Sequence, residues 1–171
     1  VAVVGLGSGV ASLSLGNYHS CALLVSGGVQ CWGPNDRGQL GDGSTVNSLS
    51  PIAVSGLSSG VTSIGAGFYH TCALIAGGAM KCWGYNQYGA LGDGSSATRT
   101  TPVDVVGLSG ATAVSPGALS TCVLMALGDV KCWGYNFFGQ TGNGSTSQSA
   151  VPANVAWHTA GVVAIGTGAY H

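Results

Sequence analysis

The feature that most constrains this chain is an internal repeat, which occurs three times and begins a fourth time within 171 residues. The cysteines Cys21, Cys72 and Cys122 start equivalent segments, at intervals of 51 and 50 residues. A unit this short cannot bury its apolar side chains alone, so successive units must stack against each other. We therefore expect one repeat region, over 1–171. Its predicted repeats are 1–51, 52–102, 103–152 and a partial copy, 153–171.

Each repeat has the pattern of short strands separated by turns, which predicts an all-β fold. In the second repeat, strands are predicted at 61–67, 69–75 and 80–84, with a glycine turn between the second and the third. Glycine makes up 31 of the 171 residues, well above the usual share of about 7%. Three or four short strands in each unit are typical of a propeller blade. A tryptophan recurs in the third strand, and we expect it to pack against the next repeat; these residues are Trp32, Trp83 and Trp133.

Two recurring motifs make the chain resemble the RCC1 repeat family, in which each repeat contributes one blade of a seven-bladed propeller. The first motif, G-x-Y-H-[ST]-C-A-L, lies at 16–23 and 67–74, and the second, C-W-G-x-N-x-x-G, at 31–38, 82–89 and 132–139. The third repeat departs from the pattern at Ser120 and Thr141. The resemblance implies RCC1-like propeller blades, about three and a third of them. Because the fourth copy stops inside a strand, we expect an incomplete region.

The cysteines occur in pairs ten positions apart, on either side of a turn. If the second and third strands form a hairpin, Cys21 lies directly opposite Cys31, and the later pairs have the same register. Opposed residues are close enough for a disulfide. With none left over, six paired cysteines indicate an oxidising compartment. The predicted disulfide residues are Cys21, Cys31, Cys72, Cys82, Cys122 and Cys132.

A metal site and plain buried thiols are the alternatives for the cysteines. His19 falls on the same face as Cys21 and Cys31 in this register, and three such ligands could hold zinc. Against zinc, Ser120 replaces the histidine in the third repeat although both cysteines remain. We therefore predict no metal and no cofactor.

The composition excludes several classes of function. The chain has only four basic residues and five acidic ones, so it lacks the positive surface that nucleic acid requires. No apolar run approaches the length of a membrane span. Paired carboxylates and nucleophile motifs are also missing, so we predict that the chain is not an enzyme.

Other recurring polar residues have structural interpretations. His19, His70 and His171 share one position and are expected to bond a turn backbone. The residues between glycines, Asp42, Asp93 and Asn143, are expected to form turns rather than a calcium loop. Ser/Thr-rich segments that end at a proline are interpreted as solvent-facing connectors between blades, with O-linked glycan as the alternative.

These observations leave three hypotheses about function. The first is an extracellular, non-enzymatic structural protein or scaffold in a surface layer, sheath or filament, because a nearly uncharged surface favours self-association. The second is a secreted module that binds a protein partner, such as a hydrolase inhibitor or an adhesin, through Tyr88, Phe137 and Phe138. Packing between blades is the alternative role for these rings. The third and remotest is a guanine-nucleotide exchange factor.

Overall fold

The computed structural model describes residues 3–156, 160–169 and 171. Within these residues the regular elements are β-strands, which form three four-stranded antiparallel sheets, or blades. Blade 1 contains β1 (Val10–Leu15), β2 (Ser20–Leu24), β3 (Val29–Gly33) and β4 (Ser48–Ala53). Blade 2 contains β5 (Val61–Ala66), β6 (His70–Ile75), β7 (Met80–Gly84) and β8 (Arg99–Asp104). Blade 3 contains β9 (Ala111–Pro116), β10 (Ser120–Met125), β11 (Val130–Gly134) and β12 (Ser149–Asn154). In this part of the chain, no helix is long and apolar enough to cross a membrane.

The strands of each blade pair in chain order, and the blades stack side by side. The first strand of blade 2, β5, lies next to both β1 and β9. In the partial fourth copy, Val162 and Ile165 pack against blade 3, and the Thr167 backbone amide donates a hydrogen bond to Ser115 Oγ, 3.0 Å away. The all-β prediction is therefore confirmed, and the three strands predicted in the second repeat lie within one residue of β5, β6 and β7.

Within each blade, the hairpin register is the one that the sequence predicts. Cys21 pairs with Cys31, and the same register pairs Cys72 with Cys82 and Cys122 with Cys132. The register follows from the short turn, because the turn length sets which residues face each other. The glycines at the turn supply the left-handed backbone; Gly27, for example, has a φ of 79°.

Side-chain alternation gives blade 2 two different buried faces. On β6, Cys72 and Leu74 point towards blade 3, whereas Thr71 and Ala73 point towards blade 1. The core therefore lies between blades. The blade 1–blade 2 core consists of Cys21, Leu23, Val29, Cys31, Leu40, Val54, Leu57, Val61, Ile64, Ala73 and Trp83.

The recurring tryptophan packs in the opposite direction from the predicted one. Trp83 of blade 2 is fully buried against blade 1, and Trp133 of blade 3 is fully buried against blade 2. Successive side chains of a strand point to opposite faces of the sheet. The cysteine of the third strand faces the following blade, so the adjacent tryptophan faces the preceding blade.

The Ser/Thr-rich segments do not connect the blades. Each one leads from a loop into the outer strand of its own blade, and Pro51, Pro102 and Pro152 lie inside β4, β8 and β12. Proline is tolerated there because an outer strand leaves one row of backbone groups unpaired. The connection to the next blade follows later; for blade 1 it spans 54–60.

Glycine is required where the inner ends of adjacent blades meet. A Cβ atom on Gly67 would lie 2.4 Å from the carbonyl oxygen of Gly117 and 2.6 Å from Cε1 of His70. Gly16 has the same relation to Gly67 and His19. The approach of one backbone to the next sets the spacing between blades at this end.

Candidate functional site

The six cysteines form three disulfides, each within one hairpin: Cys21–Cys31, Cys72–Cys82 and Cys122–Cys132. The first two lie in the cores between blades, where the sulfur-bearing residues are fully buried. Each disulfide thus joins the two middle strands of a blade on the face that packs against the next blade. In this position it stabilises both the hairpin and the surface that the next blade contacts.

Buried polar groups join blade 1 to blade 2 beside this core. The Thr71 hydroxyl lies 2.7 Å from Nε2 of His19 and donates a hydrogen bond to the Gln39 carbonyl oxygen, 2.9 Å away. Nε1 of Trp83 donates to the same carbonyl, also at 2.9 Å. A histidine and a loop carbonyl of one blade are thereby held by a threonine and a tryptophan of the next.

The same group of contacts recurs between blade 2 and blade 3. His70 Nε2 lies 2.9 Å from the Thr121 hydroxyl, and Thr121 and Trp133 both donate to the Ala90 carbonyl. The sequence correctly indicated a structural histidine, but its partner is a threonine hydroxyl of the next blade rather than a turn backbone. In blade 3, Ser120 occupies the histidine position and is buried.

These contacts keep the histidines neutral. Because the Thr71 hydroxyl gives its proton to Gln39, Nε2 of His19 must be the donor. Its Nδ1 is then a bare acceptor, to which no group among the described residues donates. A second proton would have to sit on Nδ1 in a dry site. Burial accordingly lowers the pKa of His19 to about 4. Burial, with a smaller contribution from the charge of His19, lowers the pKa of His70 to about 3.

The arrangement does not favour the zinc alternative. The sulfur atoms are bonded to each other, and a zinc ligand must be a thiolate. The described residues contain no group of three or more His, Cys, Asp or Glu side chains that could hold a metal ion. Burial alone would raise the pKa of Asp42, but the hydrogen bonds that its carboxylate accepts from Ser44 and Asn35 in its own loop together outweigh burial and lower the pKa.

The loops between the third and fourth strands are held by a buried asparagine. Asn35 Oδ1 accepts the backbone N–H of Leu40, and its Nδ2 donates to Asp42 and to the Ser44 carbonyl. Asn86 and Asn136 make equivalent bonds in the other blades. This internal network gives three long loops a defined shape, so that the side chains around each asparagine keep fixed positions.

Aromatic side chains form a continuous row at the end of the blades where these loops lie. Neighbouring ring centroids are 4.9 to 6.4 Å apart. We call this set the aromatic row; it consists of Tyr18, Phe68, Tyr69, Tyr85, Tyr88, Tyr135, Phe137 and Phe138. The row includes all three phenylalanines of the chain and five of its six tyrosines. It crosses all three blades, because Tyr18 contacts Tyr69 and Tyr88 contacts Tyr135 across the blade boundaries.

The row contains the three residues that the sequence singled out as possible partner contacts, Tyr88, Phe137 and Phe138. Phe137 and Phe138 are 68% and 66% exposed, whereas Tyr88 is half-buried between Tyr85 and Tyr135. Sequence reasoning missed the other five rings. The signal was present: these rings lie in the first-to-second and third-to-fourth strand loops, which meet at one end of an antiparallel sheet.

Charge is almost absent from the row. Arg37 lies over the Tyr85 ring, 5.5 Å from its centroid, and pairs with Asp36 at 3.3 Å. Both partners of this pair are more than half exposed, so it is worth little energetically. Burial and the neighbouring Tyr88 raise the pKa of Tyr85, so its phenol stays protonated and neutral.

A cavity of about 290 Å³ opens at the inner ends of the blades. Its lining consists of glycines and of side chains that do not titrate, Asn17, Phe68, Pro116 and Thr167 among them. Such a lining offers no general base that could activate the Thr167 hydroxyl as a nucleophile. Among the described residues, the aromatic row is therefore the strongest candidate for a functional site.

Comparison with known proteins agrees with this architecture. The profile of the Regulator of chromosome condensation (RCC1) repeat matches residues 26–74 and 78–124. A second profile with the same description matches residues 10–39, 61–90 and 111–140. Each profile covers more than half of the chain.

Similar sequences come from plants and animals. The Ultraviolet-B receptor UVR8 of Arabidopsis thaliana is 35% identical over 94 residues, which are 54% of this chain and 21% of the receptor. The E3 ubiquitin-protein ligase HERC2 of Homo sapiens is 36% identical over 88 residues, 51% of this chain and 2% of the ligase. The chain thus spans about a fifth or less of the length of these relatives.

Solved structures share the fold at low sequence identity. Human WBSCR16 superposes with a TM-score of 0.85 over 99% of this chain and 45% of its own, at 21% identity. Prp20p from Saccharomyces cerevisiae superposes with a TM-score of 0.83 over 94% of this chain and 42% of its own, also at 21% identity. With the repeated motifs, the three blades and both profile matches, the chain belongs to the RCC1 repeat family, and its sheets are RCC1-like propeller blades.

Proposed function

We propose that this chain is a non-catalytic scaffold region of an extracellular protein, and that it binds a protein partner through the aromatic row. The observation that carries the proposal is the row itself: eight contacting rings, five of which lie on the loops that Asn86 and Asn136 hold by internal hydrogen bonds. The three blades position these rings with respect to each other, and no chemical step is assigned to them.

The composition of this end of the molecule suits protein recognition. Tyrosine gives a large, rigid contact area at low entropic cost, and serine, glycine and asparagine add adaptable hydrogen bonds, as in antibody paratopes. The loops around the row are built from these residue types, for example at 85–98 and 135–148. Tyrosine is also enriched among the residues that dominate binding energy.

The extracellular location is inferred from the disulfides. Structural disulfides persist in oxidising compartments and are rare in the cytosol. All six cysteines are paired in this chain. The same pairing makes a nucleotide exchange factor of the cytosol or nucleus the least supported of the three hypotheses.

Affinity capture with variants tests the binding proposal. The protein and its Tyr88→Ala/Phe137→Ala variant are immobilised and exposed to surface and secreted proteins of the source cells. As a matched control, Val25→Ala/Leu127→Ala changes two exposed apolar residues on hairpin turns at the opposite end of the blades. We expect a protein that the wild type and the control retain and that the first variant loses. If all three proteins retain the same set, the row is not the binding surface.

Labelling of intact source cells tests the location. A membrane-impermeant biotin reagent should label the protein before lysis if it is on the surface. Recovery in the unlabelled cytosolic fraction would contradict the extracellular assignment.

A second candidate function is self-assembly into a surface layer or filament. The observation that favours it is the near absence of charge, with nine formally charged Asp, Glu, Lys and Arg side chains, five acidic and four basic. Sedimentation over a range of protein concentrations tests this function; growth into large, regular assemblies supports it, and a single species at all concentrations contradicts it.

A further inference from the structure

We propose that the aromatic row binds an uncharged, proline-rich segment of the partner in the polyproline II conformation. The inference rests on the proposed function and specifies the chemistry of the partner. Four features of the row carry it: its charge, its ring geometry, its hydrogen-bonding groups and its backbone.

The charge of the row favours a neutral ligand. Arg37 and Asp36 neutralise each other at 3.3 Å, so the row presents no excess charge. Recognition of phosphorylated or acidic motifs depends on arginine clusters, and single-stranded nucleic acid requires a positive groove beside its aromatic platforms. The row has aromatic rings on which a base could stack, but it lacks the positively charged groove that nucleic acid requires.

The ring geometry favours a ligand with compact apolar groups along an extended chain. From Tyr69 through Tyr85, Tyr88 and Tyr135, each successive ring pair is inclined by 66° to 68°. Faces and edges therefore alternate along the row. Aromatic side chains that present both faces and edges dock the pyrrolidine rings of polyproline II segments in known recognition modes. A flat sugar platform would require coplanar exposed faces, which are approached at the Tyr135–Phe137 end of the row, where the two rings are inclined by 20°.

The hydrogen-bonding groups complement a proline-rich backbone. Such a backbone has free carbonyl acceptors and few N–H donors. Within the described part of the chain, the Tyr88 and Tyr135 hydroxyls form no hydrogen bond, although the neighbouring Tyr85 hydroxyl donates to Gln87. These two phenols are 4.9 Å apart between ring centroids and offer donors to adjacent carbonyls.

The backbone at the row argues against strand addition. A peptide that adds to a sheet needs an open strand edge, and the row consists of loop residues. The outer strands of the blades, β4, β8 and β12, each contain a proline, which interrupts pairing with an added strand. A preformed polyproline II segment needs neither an edge nor a change in conformation of the loops.

Isothermal titration with three probes tests the inference on the whole protein. The probes are a ten-residue polyproline peptide, a Gly-Ser peptide of the same length and a soluble neutral oligosaccharide of glucose. We expect the polyproline peptide to bind and the Gly-Ser peptide to bind at least about tenfold more weakly. Tyr88→Ala/Phe137→Ala should weaken polyproline binding about tenfold, whereas Val25→Ala/Leu127→Ala should leave it unchanged. Tyr88→Phe, which keeps the ring but removes the hydroxyl donor, should bind more tightly than Tyr88→Ala and more weakly than the wild type.

Equal binding of both peptides, or affinity that does not depend on Tyr88 and Phe137, would overturn the inference. Tighter binding of the oligosaccharide at the row would overturn it in favour of a glycan ligand. The proposed function is judged separately: a captured protein that depends on the row, combined with no polyproline binding, rejects the ligand class alone. Polyproline binding without a captured protein rejects the partner proposal alone.

Discussion

At the residue scale, one threonine in each of two blades determines how adjacent blades are joined. The Thr71 hydroxyl is the centre of a buried network that includes His19 and the Gln39 carbonyl, to which Trp83 also donates. A buried polar group that loses its partner costs more than the bond contributes. The position is therefore sensitive to substitution although Thr71 is not part of the aromatic row.

Thr71→Val should lower the free energy of unfolding by about 1–3 kcal/mol, because His19 Nε2–H loses its acceptor inside the protein. Urea denaturation measures the change. Thr45→Val is the matched control: Thr45 is exposed, so its substitution should change stability by less than about 0.5 kcal/mol. Equal effects of the two substitutions would show that the network contributes nothing.

The buried histidines should make the protein less stable in acid. Their pKa values are about 4 and 3 in the folded state and 6.5 when unfolded, so the unfolded chain takes up protons first. Stability is full above about pH 6.5, falls as the pH drops towards 4, and for His19 the loss amounts to roughly 3 kcal/mol. Asp42 and Asp93 have lowered pKa values, so their contribution to stability is lost only as the pH falls below about 3.8.

Unfolding curves measured between pH 4 and 7 check this expectation. In a His19→Ser/His70→Ser variant, which reproduces the residue found at position 120, the profile should be nearly flat over this range. A wild-type profile that is already flat would contradict the assigned protonation states.

At the scale of elements, the contact between adjacent blades depends on glycine at the inner end of the sheets. Gly67 is not in the left-handed region, so its role is space rather than conformation. The carbonyl of Gly117 occupies the volume that a methyl group would need. The separation between blades, and with it the alignment of the loops that carry the aromatic row, follows from this approach.

Gly67→Ala should destabilise the protein by about 1–3 kcal/mol, since backbone atoms must move to accommodate the methyl group. Gly7→Ala is the control, because a Cβ there meets nothing within 4 Å and the equivalent positions in later repeats are Ser58 and Ser109. Thermal unfolding compares the two variants. A tolerated Gly67→Ala would mean that the blades do not approach this closely.

Each hairpin also depends on its disulfide. Cys72→Ala/Cys82→Ala should lower the free energy of unfolding by about 2–3 kcal/mol, because the short loop is no longer closed in the unfolded chain. Chemical denaturation of the variant and the wild type measures the difference. A variant as stable as the wild type would mean that the disulfide adds nothing to the hairpin.

At the scale of the whole molecule, the blades stack through polar networks and apolar cores of similar design, and we expect stability to be independent of metal. EDTA should leave the melting temperature unchanged, since the sulfur atoms are joined to each other. Alkylation without prior reduction, followed by mass spectrometry, should find no labelled cysteine. Two or three equivalents of zinc in elemental analysis, together with labelled cysteines, would contradict both expectations.

The sequence by itself determined the repeat, the all-β fold and the cysteine register. All of these depend on residues close together in the chain: a short turn sets which residues of a hairpin face each other, and Cys21 and Cys31 follow from it. Tertiary structure decided which blade each side chain contacts. The direction in which Trp83 packs, the Thr71 partner of His19 and the union of eight rings in one row all depend on how separate sheets stack. Spacing along the chain does not specify that stacking, because residues such as His19 and Thr71 are 52 positions apart in sequence and meet only where two separate blades are in contact.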